Sequence, residues 1–339
     1  MRCLSMQESY YRRVINALGI GMLFFLLFLL MTSFAVTGLS AVLGALPISA
    51  VAAKVIYQLV YGALYLATFM CPVPIMRAFL RGSGLPWQPM QTRKPVSRWL
   101  PLIVLGGITL ILAQSYLNAV LVSWMDFGDL TDSVMPGGNT VSDLDIVLTF
   151  IVLAVVPGFC EEFLFRGAIL TNLLPFGRGT AIFVSALAFA LMHQNLAQFL
   201  YAFGAGILLG VLYERTGSIW NGVALHLLNN ASSLLATVLP RRFGEVMGAR
   251  ILLIADAVLF LAGLVSIAVL ARVVSKKPDV REGVFGRSLP ASVGYAENRV
   301  APERSVRLLV ASPFGAFLIA SVVMALLTAL MLMVAGGLS

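Results

Sequence analysis

Charged side chains are scarce in this 339-residue chain, at 11% of the total. An ordinary soluble domain carries about 25%. Hydrophobic residues instead make up 60%. Long apolar runs recur along the sequence. Each has more than about 18 residues, which is enough to cross a ~30 Å hydrocarbon core. Most of them lack the polar face that a helix on a soluble protein presents to water. A soluble globular fold is therefore excluded, and the lipid bilayer is the first expected partner.

Cysteine is also rare, and several protease motifs are missing. The three cysteines, Cys3, Cys71 and Cys160, are odd in number and lack metal-knuckle spacing, which excludes a disulfide framework. The chain contains no His-Glu-x-x-His, Gly-x-Ser-x-Gly or Gly-x-Gly-Asp pattern. Zincin-type, serine-type and aspartyl-type intramembrane sites therefore fit poorly.

The apolar runs predict an all-α fold, a polytopic transmembrane helix bundle of about 8–9 spans. Neither an internal repeat nor a low-complexity linker divides the chain, so residues 1–339 are interpreted as a single membrane domain. The candidate spans are Val14–Val36, Val55–Ile75, Leu100–Val122, Ile146–Leu174, Thr180–His193, Gln198–Tyr213, Ile219–Val238, Ile251–Val269 and Pro313–Val334.

The loop charges orient this bundle. Lys and Arg collect in loops that stay in the cytoplasm, which explains the net charge of +8 without nucleic-acid binding. The bases between Arg77 and Arg98 and those in the predicted loop 272–312 mark the cytoplasmic side, whereas the acidic stretch Asp126–Asp145 suits the opposite side. Arg241, Arg242 and Arg250 disagree with this assignment but are outnumbered. We expect a cytoplasmic N-terminus and a site reached from the cytoplasm.

Three ionisable residues interrupt the fourth span: Glu161, Glu162 and Arg166. Each such group near the bilayer centre costs about 2.5–3.5 kcal/mol on insertion scales, so it faces the bundle interior and usually marks function. Glu162 and Arg166 are four residues apart, in the favourable order for a helical ion pair. We therefore predict that Glu162 pairs with Arg166 and that Glu161 is left as the general base.

The chain has only two histidines, and each falls in or at the end of an apolar span. His193 ends the span that contains Phe189, and His226 is followed four residues later by Asn230, on the same helical face. Helix rises of about 1.5 Å per residue place these groups and Glu161 at neighbouring depths. A carboxylate can activate water, imidazoles can bind a metal, and an amide can stabilise an oxyanion.

The patterns Glu161-Glu162-x-x-x-Arg166, Phe189-x-x-x-His193 and His226-x-x-x-Asn230 together resemble the CPBP family. That family groups the type II CAAX prenyl endopeptidases with bacterial proteins of bacteriocin processing and self-immunity. The resemblance covers roughly Ile146 to Leu235, and residues 146–238 are interpreted as the catalytic helices. It implies an intramembrane endopeptidase, expected as a multi-pass protein of a bacterial cell membrane, with a membrane-associated peptide or protein as substrate.

In that family the first glutamate would activate water, supported by the histidines and the asparagine. Two mechanisms stay open for this chain. In one, Glu161, His193 and His226 bind zinc, which is a common Glu/His ligand set; in the other, Glu161 acts as a base without a metal. A non-enzymatic alternative is a transporter or a bacteriocin-immunity protein that uses the same buried polar groups.

Overall fold

The computed structural model describes residues 5–92, 99–125, 143–276 and 302–336. These residues are almost entirely helical and contain no strand, which confirms the predicted all-α bundle. The helices are α1 (Met6–Ala45), α2 (Ala50–Met70), α3 (Pro72–Gly82), α4 (Leu100–Met125), α5 (Asp143–Phe176), α6 (Arg178–Met192), α7 (Leu196–Thr216), α8 (Ile219–Phe243), α9 (Glu245–Lys276), α10 (Pro302–Val310) and α11 (Pro313–Gly336).

Eight of the described helical stretches are long and apolar enough to cross a membrane, which makes this a multi-pass integral membrane protein. The predicted fifth span, Thr180–His193, corresponds to α6, which has only 15 residues. At about 1.5 Å per residue α6 is shorter than a ~30 Å hydrocarbon core. It ends inside the bundle, and His193 directly follows its last turn.

The predicted cytoplasmic loop 272–312 is partly helical. Its first residues continue α9 as far as Lys276, and α10 occupies Pro302–Val310. Pro302 at the first helical position and Glu303 in the first turn both favour a helix N-terminus. The described residues of the predicted loop are therefore mostly helical; residues 277–301 lie outside the described residues, as do 93–98 and 126–142.

Helix α5 is irregular where the site residues lie. A regular turn, Val156–Glu162, is followed by a π-helical segment, Phe163–Leu170, and a further π-helical turn precedes it at Ile151–Val155. Such segments are often found at functional sites because they change the direction in which successive side chains point. The two glutamates are the last residues before the second segment, and Arg166 lies within it.

Small residues let the neighbouring helices approach α5 and each other closely. A Cβ at Gly158 of α5 would meet the α8 backbone at Leu227, 3.2 Å away. On α7, a Cβ at Gly206 would lie 3.0 Å from Ala186 of α6. These small residues position α6, α7 and α8 around α5.

Candidate active site

Glu162 and Arg166 form a buried ion pair. The Arg166 Nη1 atom lies 2.8 Å from Glu162 Oε1, and neither side chain is more than 1% exposed. The pair forms although Arg166 lies in the π-helical segment, because both residues still project toward α8 and α7. The predicted pairing is confirmed.

Two further contacts hold the guanidinium of Arg166. Its Nη2 atom donates to the carbonyl oxygen of Gly206 at 3.1 Å. Its central carbon lies 4.5 Å from the ring centroid of Phe189, a cation–π contact that is worth most in a desolvated site. One cation thus joins α5, α6 and α7, which fixes the helix faces around the glutamates.

His226 bridges the two glutamates. Its Nδ1 lies 3.0 Å from Glu162 Oε1, and its Nε2 lies 3.6 Å from Glu161 Oε2. The Glu162 carboxylate that pairs with Arg166 accepts hydrogen bonds, so Nδ1 of His226 donates to it. In the neutral ring, Nε2 then presents a lone pair toward Glu161.

Glu161 has one engaged and one unengaged oxygen. Tyr65 of α2 donates its hydroxyl to Oε1, whereas Oε2 is buried and has no hydrogen-bond partner in the protein. The residue is only 4% exposed. Unlike Glu162, it makes no ion pair with Arg166. Its carboxylate therefore keeps an acceptor directed at His226 and the adjoining cavity.

His193 is oriented by the helix that it ends. Its Nδ1 lies 2.8 Å from the carbonyl oxygen of Phe189, one turn earlier. A carbonyl can only accept, so Nδ1 donates and Nε2 is left for a ligand. The Phe189 ring packs edge-on against both histidines, with centroid distances of 5.0 Å to His193 and 5.7 Å to His226.

Asn230 lies on α8 one turn after His226, beside a second amide. Asn229 donates from Nδ2 to Asn230 Oδ1 at 3.2 Å, and Tyr201 of α7 donates its hydroxyl to Asn229 Oδ1. This chain of hydrogen bonds occupies the oxygen of Asn230. Its Nδ2 is therefore the atom that can donate to another molecule.

A cavity of about 540 Å³ joins these groups. Glu161, His193, His226 and Asn230 all line it, so the structure brings four of the six predicted site residues to one cavity. Glu162 and Arg166 lie behind them, in contact with His226 and Phe189 and not among the lining residues.

The predicted zinc ligands do not form a metal site in this arrangement. Among the described residues, no three His, Cys, Asp or Glu side chains are grouped so that they could hold a metal ion. Nε2 of each histidine is the nitrogen that a metal would need, and His226 Nε2 lies 3.6 Å from Glu161 Oε2. The set Glu161, His193 and His226 therefore shares a cavity but does not fit a closed three-ligand site.

Sequence reasoning missed three contributors to the site: Tyr65, Phe189 as a platform for Arg166, and Gly222. A Cβ at Gly222 would lie 2.8 Å from Glu162 Oε2, so glycine is what allows α8 to cover that carboxylate. Phe189 belongs to the pattern Phe189-x-x-x-His193, but the pattern does not show that its ring contacts Arg166. Tyr65 lies in an apolar span 96 residues before Glu161, and no sequence pattern links them.

Residues 143–232 match a family model described as type II CAAX prenyl endopeptidase, Rce1-like. The segment is similar to that family. The match, shorter than half of the chain, contains all six predicted site residues and confirms the resemblance read from the three motifs. No curated protein and no solved structure matches the chain. The Rce1-like segment supports CAAX-type endopeptidase activity in general, in a membrane where a membrane-associated substrate is expected.

Proposed function

We propose that the chain is an intramembrane endopeptidase in which Glu161 activates the water that cleaves a peptide bond. The observation that carries the proposal is the pair of facing acceptors, Glu161 Oε2 and His226 Nε2, 3.6 Å apart at the end of the cavity. Two acceptors at this separation cannot bond each other without a hydrogen, but one water molecule can donate to both. The Rce1-like match supports the same reaction class.

Each side chain has a defined part in this reaction. Glu161 accepts a proton from the water through Oε2 while the water oxygen attacks the carbonyl carbon. Asn230 donates from Nδ2 to the oxyanion that develops on that carbonyl. Glu161 then returns the proton to the leaving amine. Tyr65 and Glu162 act indirectly. Tyr65 orients Glu161, and Glu162 keeps the hydrogen of His226 on Nδ1.

The zinc hypothesis remains a separate prediction. Zinc at Glu161, His193 and His226 would supply a bound hydroxide at neutral pH, although these side chains are not grouped as metal ligands among the described residues. Metal analysis of the purified protein tests it. Stoichiometric zinc with chelator-sensitive, zinc-restorable cleavage favours the metal. Full cleavage by metal-free protein leaves Glu161 as a direct base.

Replacement of the base tests the function itself. We expect Glu161→Gln to lower cleavage by about 10²–10⁴-fold, the usual contribution of a general base, with little loss of folded protein. The readout is the set of new N-termini in membranes of cells that express each variant. Asp256→Asn is the matched control, since Asp256 of α9 bonds Tyr116 at 2.9 Å, away from the cavity.

Cleavage that is unchanged in folded Glu161→Gln protein would contradict the proposal. New N-termini that are absent even with the wild-type chain would favour the transporter or immunity alternative, which needs the buried polar groups but no base.

A further inference from the structure

A stripe of polar side chains runs along α8 away from the site. It consists of His226, Asn230, Ser233 and Thr237, which all line the cavity. The spacing of four, three and four residues keeps them on one face of a helix. At about 1.5 Å per residue, the stripe extends roughly 16 Å from His226 toward the C-terminal end of α8.

The facing walls continue this path in the same direction. Asn118 and Ser115 lie in the second half of α4, and Gln198 lies in the first turns of α7. Ser115, Gln198 and Ser233 are exposed, whereas Glu161 and His226 are buried at the other end. The cavity wall therefore becomes more exposed toward the end of α8.

Two ion pairs show which helix ends lie on the same side of the bundle as the C-terminal end of α8. Asp143 and Asp145 at the start of α5 bond Arg242 near the end of α8, at 3.2 Å, and Lys54 at the start of α2, at 3.5 Å. Arg242 opposed the charge-based topology, and it is paired with an acid of its own side. The opposite ends carry Arg77 and Arg81 of α3, Arg215 of α7, and Arg272 and Lys276 of α9, the larger group of bases. The positive-inside rule places this larger group in the cytoplasm.

We propose that the substrate is an uncharged peptide segment that reaches Glu161 from the non-cytoplasmic side, along the polar stripe of α8. This rests on the proposed function. Hydroxyl and amide side chains along α8 match the donors and acceptors of an extended peptide backbone. Apolar residues of the same wall, such as Leu153 and Leu209, can contact the side chains of that peptide. Glu161 is the only carboxylate, and no Lys or Arg occurs, among the described residues of the wall. This path starts on the side opposite to the cytoplasmic access that the sequence predicts.

Sided labelling tests the path without any activity. Ser233→Cys should react with a membrane-impermeant maleimide in intact cells, whereas Arg81→Cys, exposed at the end of α3, should react only after permeabilisation. Mass spectrometry of the modified peptide separates these sites from Cys71, which is also exposed. Labelling of Ser233→Cys only after permeabilisation, or not at all, overturns the proposal.

A kinetic test ties the path to the reaction. On the endogenous peptide whose cleavage requires Glu161, Thr237→Leu should raise KM by about two- to ten-fold, the value of one hydrogen bond, with kcat nearly unchanged. Ala236→Leu is the matched control, because Ala236 is exposed and outside the cavity wall. Equal KM in both variants overturns the path and leaves the function standing. If cleavage does not require Glu161, the proposed function is wrong. The labelling experiment still tests the path in that case.

Discussion

Helices α5 and α9 have similar hydropathy but different roles. Their most apolar windows have mean hydropathies of 2.1 and 2.6, yet only 11% of the α9 window is buried, against 33% for α5. Helix α9 is a regular α-helix, and its one acid within the span, Asp256, bonds a tyrosine at an exposed position. Helix α5 contains two π-helical segments and buries Glu161, Glu162 and Arg166 almost completely.

Mean hydropathy predicts which helices cross the membrane. It does not predict whether a helix faces lipid or the interior of the bundle. In α9, the half-buried carboxylate of Asp256 faces α4, where the hydroxyl of Tyr116 donates to it. Three ionisable groups in the bundle interior need mutual compensation, because each unpaired buried charge has a large desolvation cost. In α5 this compensation comes from Arg166, His226 and Tyr65, which approach from three directions.

The largest expected effect on stability comes from breaking the buried ion pair of α5. Glu162→Gln leaves Arg166 with no anionic partner and should cost about 3–5 kcal/mol of folding free energy. Asp256→Asn in α9 should cost little, since an amide oxygen still accepts from Tyr116. Thermal unfolding in detergent measures both. The double variant Glu162→Gln with Arg166→Leu should regain part of the loss; equal stability of the two single variants would remove the distinction between the helices.

A smaller effect is expected where α2 supports α5. Tyr65→Phe removes one hydrogen bond to a charged acceptor, worth about 1.5–3 kcal/mol, and should lower kcat by roughly 10- to 100-fold while the protein stays folded. Tyr57→Phe is the control, because Tyr57 lies on the same helix, stacks on Tyr61 and does not line the cavity. Equal rates for the two variants would show that Tyr65 does not orient Glu161.

The smallest effect concerns the close approach of α8 to α5. Gly222→Ala places a methyl group 2.8 Å from Glu162 Oε2, and overpacking of this kind costs about 1–3 kcal/mol. Gly179→Ala in α6, where nothing lies within 4 Å, should be neutral or stabilising by about 0.5–1 kcal/mol. Unfolding midpoints measured side by side decide the point. A stabilising Gly222→Ala would mean that α8 can move away from α5 at no cost.

Much of the site could be predicted from spacing alone. Glu162 and Arg166 are local partners, and a separation of four residues brings them together even across the start of a π-helical segment. The two histidines were conspicuous because they are the only ones and lie in apolar spans. The π-helical segments themselves were not predictable, since they depend on how α6, α7 and α8 pack against α5 and not on local residue preference.

The sequence by itself determined that the chain crosses a membrane many times, because apolar length and scarce charge leave no other low-energy environment for these helices. It also determined which polar residues must be buried and that Glu162 forms an ion pair with Arg166. Only the tertiary structure decided that Tyr65 holds Glu161, that His226 lies between the glutamates, and that the cavity follows α8 away from the basic helix ends. These are contacts between segments far apart in the chain, and their geometry depends on how closely the helices pack, which small residues such as Gly158, Gly206 and Gly222 allow.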